Sequence, residues 1–157
     1  MDSHKYLDET PKDLDETIFY SEKPEEIHFE EPVVPSDGIA VYYMGLNEPI
    51  AIRTEDEFII GRQTEETNGS VLDLSGHNGF EMGVSRSHAK IRRTQTGYEV
   101  IDLSSTNGTW LKEQRLVPEK PYPLISGSML RIARIRLLVF FLSESDDKNT
   151  QVPFSDK

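Results

Sequence analysis

From Ile39 onward the chain sets apolar and β-branched residues in short runs of strand length: Ala40–Met44, Ile50–Arg53, Phe58–Gly61, Val71–Leu74, Ala89–Arg93, Tyr98–Leu103, Thr109–Leu111, Met129–Ala133 and Leu137–Leu142. Each predicts a β-strand. Asn68-Gly69, Asn78-Gly79 and Asn107-Gly108 fall between runs and supply the positive φ angles that tight turns need. No window sustains a period of 3.6 residues. Regular short strands with this punctuation predict an all-β domain, an antiparallel sandwich or barrel. Leu137–Leu142 lacks alternation, which predicts a strand buried on both faces near the middle of the structure. Tyr98 and Trp110 read as core or rim packing.

Outside this region the texture changes. Residues 1–36 carry four prolines and many charges without either periodicity, the composition of a disordered tail, and residues 144–157 read as a short frayed tail. The domain is therefore expected over residues 37–143. Of the formal charge of −11, residues 1–37 hold −9, three bases against twelve acids, so the acidity is mainly a tail property. This sign excludes nucleic acid as a natural ligand, since its binding requires neutralised phosphates. With no cysteine, neither disulfides nor thiolate chemistry is available, and no apolar run approaches the ~20 residues of a membrane span. A cytoplasmic protein without membrane contact is expected. Within the tail, Leu7-Asp8-Glu9-Thr10 recurs as Leu14-Asp15-Glu16-Thr17, followed by the apolar Ile18-Phe19-Tyr20. It reads either as a solvating arm with a chance repeat or as two acid-flanked threonines, Thr10 and Thr17, displayed to a kinase.

The candidate chemistry lies in three loops. Gly61-Arg62 closes one strand run, Gly83-Val84-Ser85-Arg86-Ser87-His88 opens another, and Thr106-Asn107-Gly108 follows a third. Were these loops to meet at one rim, the Arg62 and Arg86 guanidiniums, the Ser85 and Thr106 hydroxyls and the Asn107 amide suit a phosphate monoester carried on an extended peptide. No Gly-x-x-x-x-Gly-Lys-Ser/Thr loop is present, so nucleotide hydrolysis is not supported. Ser85 and His88 as nucleophile and base would make a hydrolase, but an orienting carboxylate has no obvious candidate. The four histidines (His4, His28, His77, His88) show no metal-ligand spacing.

Gly61-Arg62, Ser85-x-x-His88 and Asn107-Gly108, in this order and each beside a strand run, resemble the forkhead-associated (FHA) domain, a reader of phosphothreonine peptides. The wider forms, Gly83-Val84-Ser85-Arg86-x-His88-Ala89 and Asp102-Leu103-x-Ser105-x-Asn107-Gly108-Thr109, are similar to bacterial members. The resemblance implies a β-sandwich of about eleven strands with its ligand loops at one end and both termini at the other. By position it implies that Arg62, Ser85 and Arg86 hold the phosphate, with Thr106 adding a hydroxyl or backbone contact and Asn107 bonding the ligand main chain. Gly61 and Gly108 would permit the loop geometry and His88 would pin the Ser85 loop. Many members place Asn-Gly in the hairpin after Trp110, where this chain has Glu113-Gln114. The expected function is phosphothreonine recognition without catalysis or cofactor, with phosphothreonine proteins and a Ser/Thr kinase as partners. The chain's own tail, phosphorylated on Thr10 or Thr17, is a further expected ligand. A phosphorylation-independent scaffold is the alternative.

Overall fold

The computed structural model describes residues 31–143 other than Glu66 and Asn68. The tail expected over residues 1–36 is therefore described only from Glu31, and Thr10, Thr17 and the expected tail 144–157 lie outside the described residues. No helix among the described residues is long and apolar enough to cross a membrane.

Eleven strands form two stacked sheets. The first holds β2 (Pro49–Arg53), β1 (Ile39–Tyr43), β11 (Ile135–Phe141), β10 (Ser128–Ile132), β7 (Thr109–Leu111) and β8 (Gln114–Arg115), in that order. The second holds β4 (Val71–Asp73), β3 (Glu57–Gly61), β5 (Ser87–Arg93), β6 (Tyr98–Asp102) and β9 (Pro121–Pro123). Alternating side chains such as Ile39 and Val41 of β1, Leu130 and Ile132 of β10, Phe58 and Ile60 of β3 and Ala89 and Ile91 of β5 are withdrawn into the seam. Burial of this apolar area, at about 25 cal/mol per Å², is the main term holding the sheets together. All pairings are antiparallel except β3 with β4, which is parallel, with Ile59 opposite Val71. The stretch between them is long enough to bring the chain back before β4 starts.

Two strands escape the sequence pattern. β8 is two exposed polar residues and β9 is a proline-flanked tyrosine. Both lie at sheet edges, where packing is one-sided and proline is tolerated. Leu137–Leu142 departs from the expectation of burial on both faces. Its strand, β11, is central between β1 and β10, yet Leu137, Val139 and Phe141 are buried while Leu138 and Phe140 are only half-buried. These two sit on the outer face, where Tyr42 meets the Phe140 ring edge-on at 5.6 Å and lies opposite Leu138.

The hairpin after Trp110 turns one residue earlier than the sequence suggests. Leu111 pairs with Gln114, so Lys112 and Glu113 are the two turn residues, with φ of 49° and 66°. Two consecutive left-handed residues make a type I′ turn, which Asn-Gly adopts with little strain and Lys-Glu does not. The double substitution Lys112→Asn/Glu113→Gly is expected to stabilise the domain by roughly 1–2 kcal/mol, a Tm rise of about 4–10 °C in thermal unfolding. An unchanged or lower Tm would refute this account of the turn.

The domain's first and last strands run side by side, Ile39 opposite Phe141. At the other end of β11 the turn at Ala133 and Arg134 touches the loop after β6, where the Ala133 N–H donates to the Gly108 carbonyl at 3.0 Å. The length of a seven-residue strand, about 20 Å, separates these two ends.

Candidate functional site

Three loops gather at the Ala133 end: 62–70 between β3 and β4, 74–86 between β4 and β5, and 103–108 between β6 and β7. The first two are joined through backbone. The Arg62 N–H donates to the Arg86 carbonyl at 3.0 Å, and the Leu74 N–H donates to the Gly61 carbonyl at 2.7 Å. Gly61 is required by this approach, since a Cβ there would lie 2.0 Å from the Arg86 carbonyl oxygen.

Arg62 is held on two sides. Its Nε donates to the Val84 carbonyl at 2.7 Å, and its guanidinium lies 5.0 Å from the centre of the exposed Phe80 ring. The terminal nitrogens are thereby fixed in direction at the mouth of a cleft of about 440 Å³. Arg62, Ser85, Arg86 and Thr106 line this cleft together, so four residues singled out in three separate stretches of sequence converge. Three further hydroxyl side chains line it as well: Thr64, Thr67 and Ser87. Thr64 and Thr67 close a small turn in which their hydroxyls lie 3.0 Å apart and the Thr67 N–H donates to the Thr64 carbonyl at 3.0 Å. No local spacing in the sequence marked these three, because their place depends on how the first loop folds over the second.

Asn107 is exposed beside this cleft and is not among its lining residues. Its Nδ2 donates to the Gly83 carbonyl at 2.8 Å, tying the third loop to the second. Gly83 stands at φ +83°, and a Cβ on it would come within 2.6 Å of that same nitrogen. The Ser85 hydroxyl accepts from the Thr106 N–H at 3.2 Å, which leaves its proton available to a ligand.

Beneath the loops lie two buried polar groups. His88 is fully buried and its Nδ1 accepts from the Ser85 N–H at 3.0 Å. That fixes the tautomer, so Nε2 carries the proton and donates to the Gly108 carbonyl at 2.8 Å. Burial pushes this imidazole below its ordinary pKa, against the Gly108 carbonyl and Asp102, which favour the charged form. Both ring nitrogens are thus spent on the main chain, and neither serves the Ser85 hydroxyl as a base. The nucleophile-and-base arrangement weighed in the sequence is not formed.

Asp102, buried to 1 % exposure, organises the third loop. One of its oxygens accepts from the Ser105 and Thr109 hydroxyls at 2.6 Å each, and the other from the Ser105 N–H at 3.2 Å. Ser105 in turn accepts from the Gly108 N–H at 3.0 Å. The spacing Asp-x-x-Ser-x-x-x-Thr was its sequence signature. Gly108 closes the loop at φ +86°. Among the described residues no group of His, Asp and Glu is arranged to hold a metal ion.

A β-sandwich whose interstrand loops build one cationic, hydroxyl-rich cleft defines a recognition domain. Residues 58–133 match the FHA domain. FHA domains bind phosphothreonine peptides and are not catalytic. An oxoglutarate dehydrogenase inhibitor of Corynebacterium jeikeium is 36 % identical over 67 residues, 43 % of each chain. The probable E3 ubiquitin-protein ligase dma1 of Schizosaccharomyces pombe is 36 % identical over 77 residues, 46 % of this chain and 28 % of that one. The chain thus spans less than half the length of either relative. Mycobacterium tuberculosis EmbR, solved in complex with a low-affinity phosphopeptide, superposes with a TM-score of 0.52 at 25 % identity, over 66 % of this chain and 24 % of that one.

Proposed function

We propose that this protein binds phosphothreonine peptides in the cleft between its three loops, as a signalling module downstream of a Ser/Thr kinase. The observation that carries the reading is that Arg62, Ser85, Arg86 and Thr106, from three loops, line one cleft. A phosphate monoester brings ~ −1.5 to −2 charges and three acceptor oxygens, which match two guanidiniums and converging hydroxyls. In this reading Arg62, Ser85 and Arg86 hold the phosphate and Thr106 adds a contact. The Asn107 side-chain oxygen, on the exposed side of its bond to Gly83, receives a ligand N–H. Gly61, His88 and Gly108 support the loops without touching ligand. The domain is assigned to residues 37–143, flanked by tails at 1–36 and 144–157. Titration against a phosphothreonine peptide library paired with unphosphorylated controls tests the reading. Binding that ignores phosphatase treatment would favour a scaffold instead.

The tail supplies a second ligand for the same cleft. Thr17 precedes Ile39 by 22 residues, and a flexible linker of that length has a typical span of about 5–6 Å × √22, or ~26 Å, more than the length of β11. Phosphorylated Thr10 or Thr17 then occupies the cleft at an effective concentration on the order of millimolar, as an autoinhibitory latch. Phosphorylated full-length protein is expected to bind an outside phosphopeptide more weakly than a tail-deleted form does. Equal binding by both forms would remove the latch.

A further inference from the structure

One row of side chains crosses four neighbouring strands on the outer face of the six-stranded sheet. Arg115 stands opposite Trp110, Trp110 opposite Arg131, and Arg131 opposite Arg136. Directly opposed residues share a face. Their chain neighbours Leu111, Leu130 and Leu137 point into the core, so the row points out. Arg115 and Arg136 are exposed, while Trp110 and Arg131 are half-buried. The Arg131 guanidinium lies 3.7 Å from the centre of the Trp110 ring and that of Arg115 5.4 Å.

This row is unusual for two reasons. Arg131 and Arg136 are like charges placed directly opposite each other, an arrangement that destabilises a sheet unless an anion neutralises it. None of the three arginines has an ion-pair partner among the described residues. The basic side chains of β5 on the other sheet do: Lys90 faces Glu57, Arg92 faces Glu99 and Arg93 faces Asp37. Among the described residues, three guanidiniums thus stand in one line without an ion-pair partner, in a chain of formal charge −11.

The row is also continuous with the cleft. Thr106 lines the cleft and Trp110 follows it by four residues, at most ~14 Å of chain. Between them, a Cβ on Gly108 would lie 3.0 Å from both the Arg115 Nε and the Trp110 ring. The third ligand loop therefore runs directly into the row.

We propose that the row is a second contact surface for the same ligand, taking an acidic stretch of the phosphothreonine-bearing polypeptide. This rests on the phosphothreonine reading of the cleft. From cleft to row is at most ~14 Å, and two strand spacings of ~4.8 Å carry it on from Trp110 to Arg136. At ~3.3 Å per residue the carboxylates stand within roughly seven residues of the phosphothreonine. Trp110 holds Arg115 and Arg131 upright by stacking, so that their forks meet carboxylates with little ordering left to do. A polypeptide fits this surface better than a nucleic acid, because the row is short and the rest of the chain repels a polyanion.

The test uses the full-length, unphosphorylated chain and three synthetic peptides: a phosphothreonine core with neutral flanks, and the same core extended by an Asp/Glu stretch on its N-terminal or its C-terminal side. One of the extended peptides is expected to bind about tenfold more tightly than the core at low ionic strength, a gain lost at high salt. Arg131→Gln/Arg136→Gln should erase the gain and leave affinity for the core peptide unchanged. Arg136→Glu, exposed and without the tryptophan contact, should reduce the gain on its own and decides the matter should the double variant fold poorly. Three equal affinities, or a gain that survives both substitutions, overturns the proposal. No binding of the core peptide at all overturns the reading of the cleft, and the row falls with it.

Discussion

Replacing Arg62 with alanine is expected to weaken binding of a phosphothreonine peptide by roughly one to two decades, measured by calorimetric or fluorescence titration. A charge-assisted hydrogen bond contributes ~1.5–3 kcal/mol, and Arg62 is placed to make such bonds with its terminal nitrogens alone. Its Nε is already committed to the Val84 carbonyl at 2.7 Å, and its plane rests against Phe80 at 5.0 Å. The side chain is thus ordered before the ligand arrives, and little entropy opposes the contact. The substitution also frees the Val84 carbonyl, next to Ser85, so part of the loss comes through the second loop. Arg62→Lys keeps the charge but neither the Val84 bond nor the paired geometry, and should fall between alanine and wild type. Wild-type affinity in Arg62→Ala would end the role given to this residue.

Most of the strands and the loops that line the cleft were legible for a physical reason. Strand-length runs of β-branched and aromatic residues mark the strands, and three of them lead into the cleft loops through Gly61, Gly76 or Asn107-Gly108, so local chemistry and fold agree there. Phe58–Gly61 followed by Arg62 is the clearest case. Where side chains carry no alternation the sequence is silent: Gln114–Arg115 is a strand only because Trp110 and Leu111 lie beside it. Leu137–Leu142 misled in the opposite direction, because an apolar residue on an outer face looks the same in sequence as one in a core. Leu138 and Phe140 are apolar and only half-buried. Thr64 and Thr67 in the cleft, and the line of Arg115, Trp110, Arg131 and Arg136, depend on which loop folds over which and on strand register. Neither is written in local spacing.

His88→Ala is expected to destabilise the domain by about 3–4 kcal/mol, a Tm fall on the order of 10–20 °C. The imidazole fills a fully buried site and is the partner of two main-chain groups from different loops, the Ser85 N–H and the Gly108 carbonyl. Truncation leaves a cavity and two buried polar groups to be satisfied by water or by loop movement. Because those loops carry Ser85 and Thr106, affinity for phosphopeptide should fall as well. The pH dependence separates this role from simple packing. Burial holds the His88 pKa below its unfolded value of about 6.5, so the folded protein binds fewer protons than the unfolded chain below that pH. The stabilisation is complete above it and is lost as pH falls toward the folded pKa, when a proton on Nδ1 would remove the acceptor for Ser85. Two carboxylates also favour the folded state as anions: Glu55 through its own backbone N–H, Ser70 and Arg53, and Asp73, whose partial burial is outweighed by hydrogen bonds from Ser75 and Gln63. Their contributions fade only below their ordinary values of 4.5 and 3.8, so the window from pH 7 to 5 isolates the imidazole. Across that window the stability gap between wild type and His88→Ala should narrow as the solution is acidified. A gap that stays constant would mean that His88 contributes packing volume and no neutral hydrogen-bonded link.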